Sequence, residues 1–314
     1  MKLGMHRALP SLALSCGICA LAAADDAKLE LKARKGLTAE YTVKETSTND
    51  FGGGSRASES EITYRIEVAD KKDNGDAVIK VTYASVKAKQ EGRDGAWEFD
   101  SAKKEGGDEV ATQLRQTIAS PITVHVSAGK ITEISGISDP QRQEGAEPRE
   151  GFRRMRAGRI AGRAAIERHI GMILASPAQG QKLEKGKEYK QEARRQEASA
   201  EGENRGRRFG RDNFLLAYKF EGDEKARGAP AARFKLNAVR QPAGGNAPEP
   251  RGELKSEGRA LVSLEDGLLI ELDLTTDSKS EFERDGETRS FASKSKITVE
   301  RKKGDAKEVR TASL

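Results

Sequence analysis

SEITYRIEVADKKDNGDAVIKVTYASVKA, residues 60 to 88, alternates apolar and polar side chains on both sides of an Asn-Gly step. In an extended chain Ile62, Tyr64, Ile66 and Val68 fall on one side, and Thr63, Arg65 and Glu67 on the other. Asn74-Gly75 suits a type I′ turn, because both central residues need positive φ. Ile79, Val81 and Tyr83 then return with the same alternation. The stretch predicts an antiparallel hairpin with one buried and one wet face.

The same logic extends outward in both directions. PITVHVSAGKITEISG (121–136) alternates Ile122, Val124 and Val126 before Ala128-Gly129. RALVSLEDGLLIELDLTTD (259–277) turns at Asp266-Gly267, and SEFERDGETRSFASKSKITVERK (280–302) at Asp285-Gly286. Hairpin-linked strands without βαβ spacing predict a mostly β, antiparallel architecture, a curved sheet or half-barrel. EVATQLRQTI (109–118) repeats Val110, Leu114 and Ile118 every four residues and reads as a short amphipathic helix before the strand at Pro121. The stretches 136–151, 194–212 and 240–258 are rich in Gly, Pro, Arg and Glu and read as long solvated loops. FGGGSR (51–56) has no Lys-Ser/Thr after its glycines, so it is a hairpin loop and not a phosphate cradle.

Residues 1–24 read as a secretory signal peptide. MKLGMHR carries Lys2 and Arg7, ALPSLALSCGICALAAA has no charge, and Ala22-Ala23-Ala24 precedes Asp25-Asp26. This run is shorter than the roughly 20 apolar residues of a spanning helix and is broken by Pro10. Both cysteines, Cys16 and Cys19, lie within it, so a chain cleaved after Ala24 has no disulfide, reactive thiol or thiolate metal ligand. Lipid anchoring through Cys16 is the weaker alternative, because Ala13 stands where leucine is usual. The expectation is an exported protein, periplasmic or extracellular, with no transmembrane segment after cleavage.

Charge is local. Removing Lys2 and Arg7 from the whole-chain +6 leaves +4, while 149–176 alone holds seven Arg against Glu150 and Glu167, or +5. That argues against a chain-wide nucleic-acid surface. Within this segment Ile166, Ile170, Ile173 and Leu174 share one helical face, which ends before Pro177. Arg156, Arg159 and Arg163 continue that stripe between Gly158 and Gly162. Residues 148–177 therefore read as a connector helix. Its arginines either pair with surface carboxylates and water, or form an anion-binding surface at Arg156, Arg159 and Arg163.

The chain also echoes itself. Lys35-Gly36 before Tyr41 matches Lys185-Gly186 before Tyr189, ITYRIEV and AVIKVTYASVKA match LLAYKFEG and ARFKLNAVRQ, and VHVSAGKITEIS matches LVSLEDGLLIEL. Two similar β units, 25–147 and 178–314, joined by the connector, follow from this order; shared hairpin chemistry is the plainer alternative. LKARKG (31–36), VSAGKITEISG, LASPAQGQKLEKGKEY (174–189) and SLEDGLLIELDLTTD in this order resemble a family of uncharacterised exported bacterial envelope proteins, a domain of unknown function. The resemblance implies an envelope protein with no assigned reaction and no functional residues to carry over. Where that family opens its strand with a tryptophan or another aromatic, this chain has Tyr41 and Tyr189. A long curved antiparallel sheet crossed by a helix is also similar in architecture to the periplasmic lipoprotein-carrier superfamily, which holds acyl chains.

Catalytic groupings are sparse. Beyond the leader only His125 and His169 occur; the first reads as a half-exposed strand histidine and the second as a helix residue beside Ile170. Glu265-Asp266 and Glu283 to Asp285 sit at turns, where carboxyl pKa values are not driven apart by burial. No catalytic residue, metal site or cofactor is expected. These features predict a non-catalytic binding or scaffolding protein of the bacterial envelope, whose partner is a lipid or an anionic envelope polymer. A hydrolase with a site assembled from dispersed Asp, Glu and His is the alternative.

Overall fold

The computed structural model describes residues 28–32, 34–51, 53–92, 95–103, 109–127, 130–137, 160–174, 177–190, 214–240, 251–284 and 287–302. The leader at 1–24, most of the three predicted loops, and the start of the connector with Arg156 and Arg159 lie outside these residues.

Twelve strands form one antiparallel, curved, open sheet. The first half contributes β1 (Thr38–Asp50), β2 (Ser55–Lys71), β3 (Ala77–Gly92), β4 (Trp97–Asp100), α1 (Glu109–Ala119), β5 (Ile122–Ser127) and β6 (Lys130–Ser135). After helix α2 (Arg163–Leu174) come β7 (Glu188–Lys190), β8 (Phe214–Ala226), β9 (Ala229–Arg240), β10 (Arg251–Ser263), β11 (Leu269–Arg284) and β12 (Glu287–Arg301). The order is β6-β5-β3-β2-β1-β12-β11-β10-β9-β8-β7, with β4 beside β3. The mostly β, antiparallel expectation holds, as does α1, where Val110 and Leu114 are buried.

Pairing of β1 with β12, Tyr41 opposite Arg301 through Asp50 opposite Ala292, joins the two halves into a single sheet. The predicted turns stand where expected, with Gly75 and Gly267 at positive φ and β11 and β12 paired out to Arg284 opposite Glu287, but the first is not type I′. Asn74 does not take positive φ; the Gly75 N–H donates to the Lys72 carbonyl (3.0 Å) and the Lys72 N–H to the Asp76 carbonyl (2.8 Å), so a type I turn is closed by a glycine bulge, the geometry of a longer hairpin loop. At Gly267 a Cβ would sit 2.0 Å from the Glu30 carbonyl oxygen, so only glycine lets the β10–β11 turn pack on the N-terminal segment.

The two Lys-Gly openings have one backbone geometry. The Gly36 N–H donates to the Val68 carbonyl (2.8 Å) and the Val68 N–H to the Leu37 carbonyl (2.9 Å). In the second half Gly186 donates to Phe220 (2.8 Å) and Phe220 to Lys187 (3.0 Å). Each opening faces an irregularity in the partner hairpin, between Val68 and Asp70 or between Phe220 and Gly222. Tyr41 stands opposite Tyr64, and Tyr189 opposite Tyr218.

A second expectation fails. The stretch 240–258 is not a loop throughout, because Arg251–Ser263 is strand β10. Of its inward positions 254, 256 and 258 only Leu254 is large and apolar; Ser256 and Gly258 break the alternation. The pairing of Gly258 with Leu274 and Leu236 puts this small residue between large neighbours, where a Cβ would meet the Asp273 carbonyl oxygen at 2.5 Å.

One sheet face holds the core, from Tyr41, Val43, Ile62 and Tyr64 across Leu272 and Val262 to Phe234 and Tyr218, in a single cluster. The opposite face is laced with ion pairs such as Lys44–Glu61 (3.1 Å) and Lys296–Asp273 (3.0 Å), beside a small buried cluster of Ala226, Ala231, Leu261 and Ile270. Helix α2 crosses the core face with Ile166, Ile170, Ile173 and Leu174 buried, touching β6 on one side and β11 on the other. A 12-residue helix is about 18 Å long. Those strands are six steps apart, about 29 Å in a flat sheet. The sheet curves round the helix.

Candidate functional site

The core face changes chemistry along its strands, and the register shows where. Val43 lies between Ile62 of β2 and Val299 of β12, and Val299 faces Leu272 of β11. Two residues further, Glu45 lies between Ser60 and Ile297. Two further still, Ser58, Ser47, Ser295, Thr276 and Ser256 follow one another across β2, β1, β12, β11 and β10. Hydroxyls bond within this row, Ser47 to Ser58 at 2.8 Å and Thr276 to Ser295 at 2.6 Å. Asn49, Ser293 and Ser278 make the next row, and Phe51 packs on Phe291 at the end (5.2 Å between centroids). Of this open half Thr276, Ser278 and Phe291 are buried, while Ser47, Ser58, Ser256, Ser293 and Ser295 are partly exposed.

A chain of titratable groups stands at the boundary between the two halves. His169 of α2 is 1% exposed and is bonded on both ring nitrogens. Its Nδ1 lies 2.8 Å from the Tyr64 hydroxyl and its Nε2 3.1 Å from Glu45 Oε1. The other carboxylate oxygen of Glu45 accepts from Arg168 at 2.7 Å. Burial holds the Tyr64 phenol well above its ordinary range, so its O–H donates to Nδ1 and the Nε2–H donates to Glu45. Burial opposes ionisation of Glu45, but the His169 hydrogen bond and the Arg168 charge outweigh it and hold the carboxyl at about 2. Burial also lowers His169, against the pull of Glu45.

This chain has the order of a carboxylate–imidazole–hydroxyl relay, yet it has no room for a substrate. Tyr64 is 0% exposed and lies against Tyr83 at 5.1 Å, whose hydroxyl donates to the Ala161 carbonyl (3.4 Å). The groups bind helix to sheet. Sequence reading placed His169 beside Ile170 but missed both partners, which lie 105 and 124 residues away. The available signal was a histidine on the buried stripe of a helix, where an imidazole must find polar partners.

Of the three candidate anion-binding arginines, Arg163 is described, at the start of α2. It donates to the Ile134 carbonyl (3.3 Å) and lies 3.7 Å from Glu167. His125 is half exposed on β5 and lines a notch of 120 Å³ with Asp70, Asp76, Ser127 and Thr132. Among the described residues no group of three or more His, Cys, Asp or Glu could hold a metal ion, and no helix is long and apolar enough to cross a membrane.

No known protein family matches the chain, and no curated protein has detectable sequence similarity to it. Among solved structures it is similar to lipovitellin, at 14% identity and TM-score 0.45, over 86% of this chain and 25% of that one. The chain thus spans a quarter of the lipovitellin chain. It is also similar to a DUF1329 family protein from Desulfovibrio piger, at 8% identity and TM-score 0.18, over 84% of each chain.

Proposed function

We propose that this is an exported, non-catalytic binding or scaffolding protein of the bacterial envelope, built from two similar β units joined by the connector at 148–177. The observation that carries the reading is the open half of the core face. Five hydroxyl side chains stand in one row across five adjacent strands, four of them partly exposed and Thr276 buried, where the covered half has Val43, Ile62, Val299 and Leu272. A face of this kind suits a ligand that presents many hydrogen-bonding groups, and so an envelope polymer over an acyl chain. Arg163 and the arginines at 156 and 159 would add attraction for an anionic one. The hydrolase alternative finds its converging groups in Glu45, His169 and Tyr64, but a phenol and an imidazole this buried cannot reach a substrate.

Native mass spectrometry of protein purified from the envelope tests the reading. A co-purifying glycan or anionic polymer fragment is expected. A bound acyl lipid would move the ligand to the apolar half, and turnover of such a polymer would overturn the non-catalytic reading. Export is tested separately: the mature chain should begin at Asp25 and resist a thiol-reactive probe, and labelling would show that Cys16 and Cys19 are retained.

A further inference from the structure

Helix α2 is held to the first three strands by a chain whose donors and acceptors are all matched when the imidazole is neutral. With a neutral imidazole, Tyr64 donates to Nδ1 and Nε2–H donates to Glu45 (2.8 and 3.1 Å). A proton on Nδ1 would force the fully buried Tyr64 O–H to turn from the ring to the Tyr83 hydroxyl beside it.

Charge points the same way. Glu45 is the one carboxylate bonded to the ring, and Arg168 already shares it at 2.7 Å, so carboxylate and guanidinium cancel. A protonated His169 leaves a net positive charge at a site 1% exposed. Among the described residues nothing else packed there offsets it. From β3 the neighbour is Tyr83, a neutral phenol. From β11 the core-face positions are Leu272, Leu274 and Thr276, and beside Glu45 on β12 stands Ile297. On β6 the buried side chains are Ile131 and Ile134, with Glu133 exposed. On α2 itself Arg163 and Glu167 face each other (3.7 Å). The depressed pKa of His169 agrees with this geometry.

We propose that the Tyr64–His169–Glu45 chain is an acid-sensitive latch, in which a proton on His169 loosens α2 from β1, β2 and β3 and uncovers the apolar half of the core face. The inference rests on the reading of that face as a binding surface and adds its regulation. Opening would join the covered apolar half to the hydroxyl rows. The protein would then offer a larger, amphipathic surface in an acidified compartment than at neutral pH.

Hydrogen exchange of the α2 amides, 163–174, in the full chain without ligand tests the latch. Between pH 7.5 and 5.5, after correction for intrinsic exchange, the opening equilibrium should rise by up to about tenfold per pH unit once below the ordinary imidazole range. In His169→Gln, whose amide offers one acceptor and one donor but does not titrate, the α2 amides should show no such rise. Equal protection of wild-type α2 at both pH values would overturn the latch, as would the same acid response in His169→Gln. Should that variant not fold, NMR titration of the wild-type imidazole decides. A titration midpoint below that of a free imidazole is required, and one at or above it overturns the proposal. Because these measurements contain no ligand, their failure counts against the latch alone; failure to find any polymer or lipid counts against the binding surface.

Discussion

The covered and open halves of the core face belong to the same strands, yet they carry opposite kinds of side chain. In the covered half Val43, Ile62 and Val299 are each about 1% exposed or less and belong to one core with Ile170 and Ile173 of α2. Four residues along β1 the inward side chain is Ser47, with Ser58 and Ser295 beside it. The strands keep their register through this change, and the far face keeps its ion pairs. Continuity of the backbone pairing therefore does not depend on the apolar core. The core supplies adhesion of the helix; the hydroxyl rows carry polar side chains that are partly exposed except at Thr276 and Ser278.

The largest effect that can break this comparison is at the helix. Ile170 is fully buried, and Ile170→Asp should destabilise the protein by about 4 kcal/mol, from lost burial and an unpaired charge. Chemical denaturation measures it. A change below about 1 kcal/mol would mean that α2 contributes little adhesion and that the two halves are energetically alike.

Next in size is the boundary itself. Glu45 is held at about 2 in the folded protein, below its ordinary 4.5. A depressed carboxyl contributes stability that is complete above its unfolded pKa and is lost as pH falls through the folded one. The window is therefore about pH 4.5 down to 2. Because Glu45 is 26% exposed, the shift is discounted for solvent screening, to about 2 kcal/mol. Urea titrations at pH 6, 4 and 3 should show a shallower acid loss in Glu45→Gln than in wild type. Parallel curves would place the acid sensitivity at other carboxylates. His169, also depressed, acts in the same direction at higher pH, since the unfolded state takes up its proton first.

The connector arginines sharpen the comparison from outside the core. Arg163 has a half-exposed side chain, so Arg156, Arg159 and Arg163 replaced together by Gln should cost no more than about 1 kcal/mol. Salt-sensitive retention on an anionic polymer should fall in the same variant. A large stability loss would show buried pairing instead.

These contrasts were unevenly legible in the sequence. Ile62 to Tyr83, with Asn74-Gly75 between them, announces its hairpin because alternation and turn chemistry are both local. The Lys-Gly openings were visible too, since positive φ favours glycine at Gly36 and Gly186. The β1–β12 pairing could not be seen, because residues some 250 positions apart carry no local signal of contact. Strand β10 was hidden by its Gly and Ser, residues that a loop would also use. Tyr64 and His169 each fitted an apolar stripe, and only the tertiary fold turned two satisfied core positions into a chain ending on Glu45.

The smallest expected effect separates the two halves most directly. Ser47 and Ser58 stand opposite each other on β1 and β2, partly exposed, with their hydroxyls 2.8 Å apart. Such a bond contributes about 0.5 to 1.5 kcal/mol net when buried and less where water competes. Valine has the higher strand propensity, and a β-branched cross-strand pair recovers about as much as the hydroxyl pair loses. Ser47→Val with Ser58→Val should therefore leave stability within about 1 kcal/mol of wild type, because each residue keeps its place in the ladder. If the open half is the binding surface, the same double variant should lose affinity for the envelope polymer, since it turns a wet row into an extension of the core. A marked fall in melting temperature would show that the hydroxyls hold the sheet together, and the division between covered and open halves would then be structural alone. Unchanged stability with lost binding is the outcome the proposed binding surface requires: strands that could carry valine at no cost would then carry serine for what the face contacts.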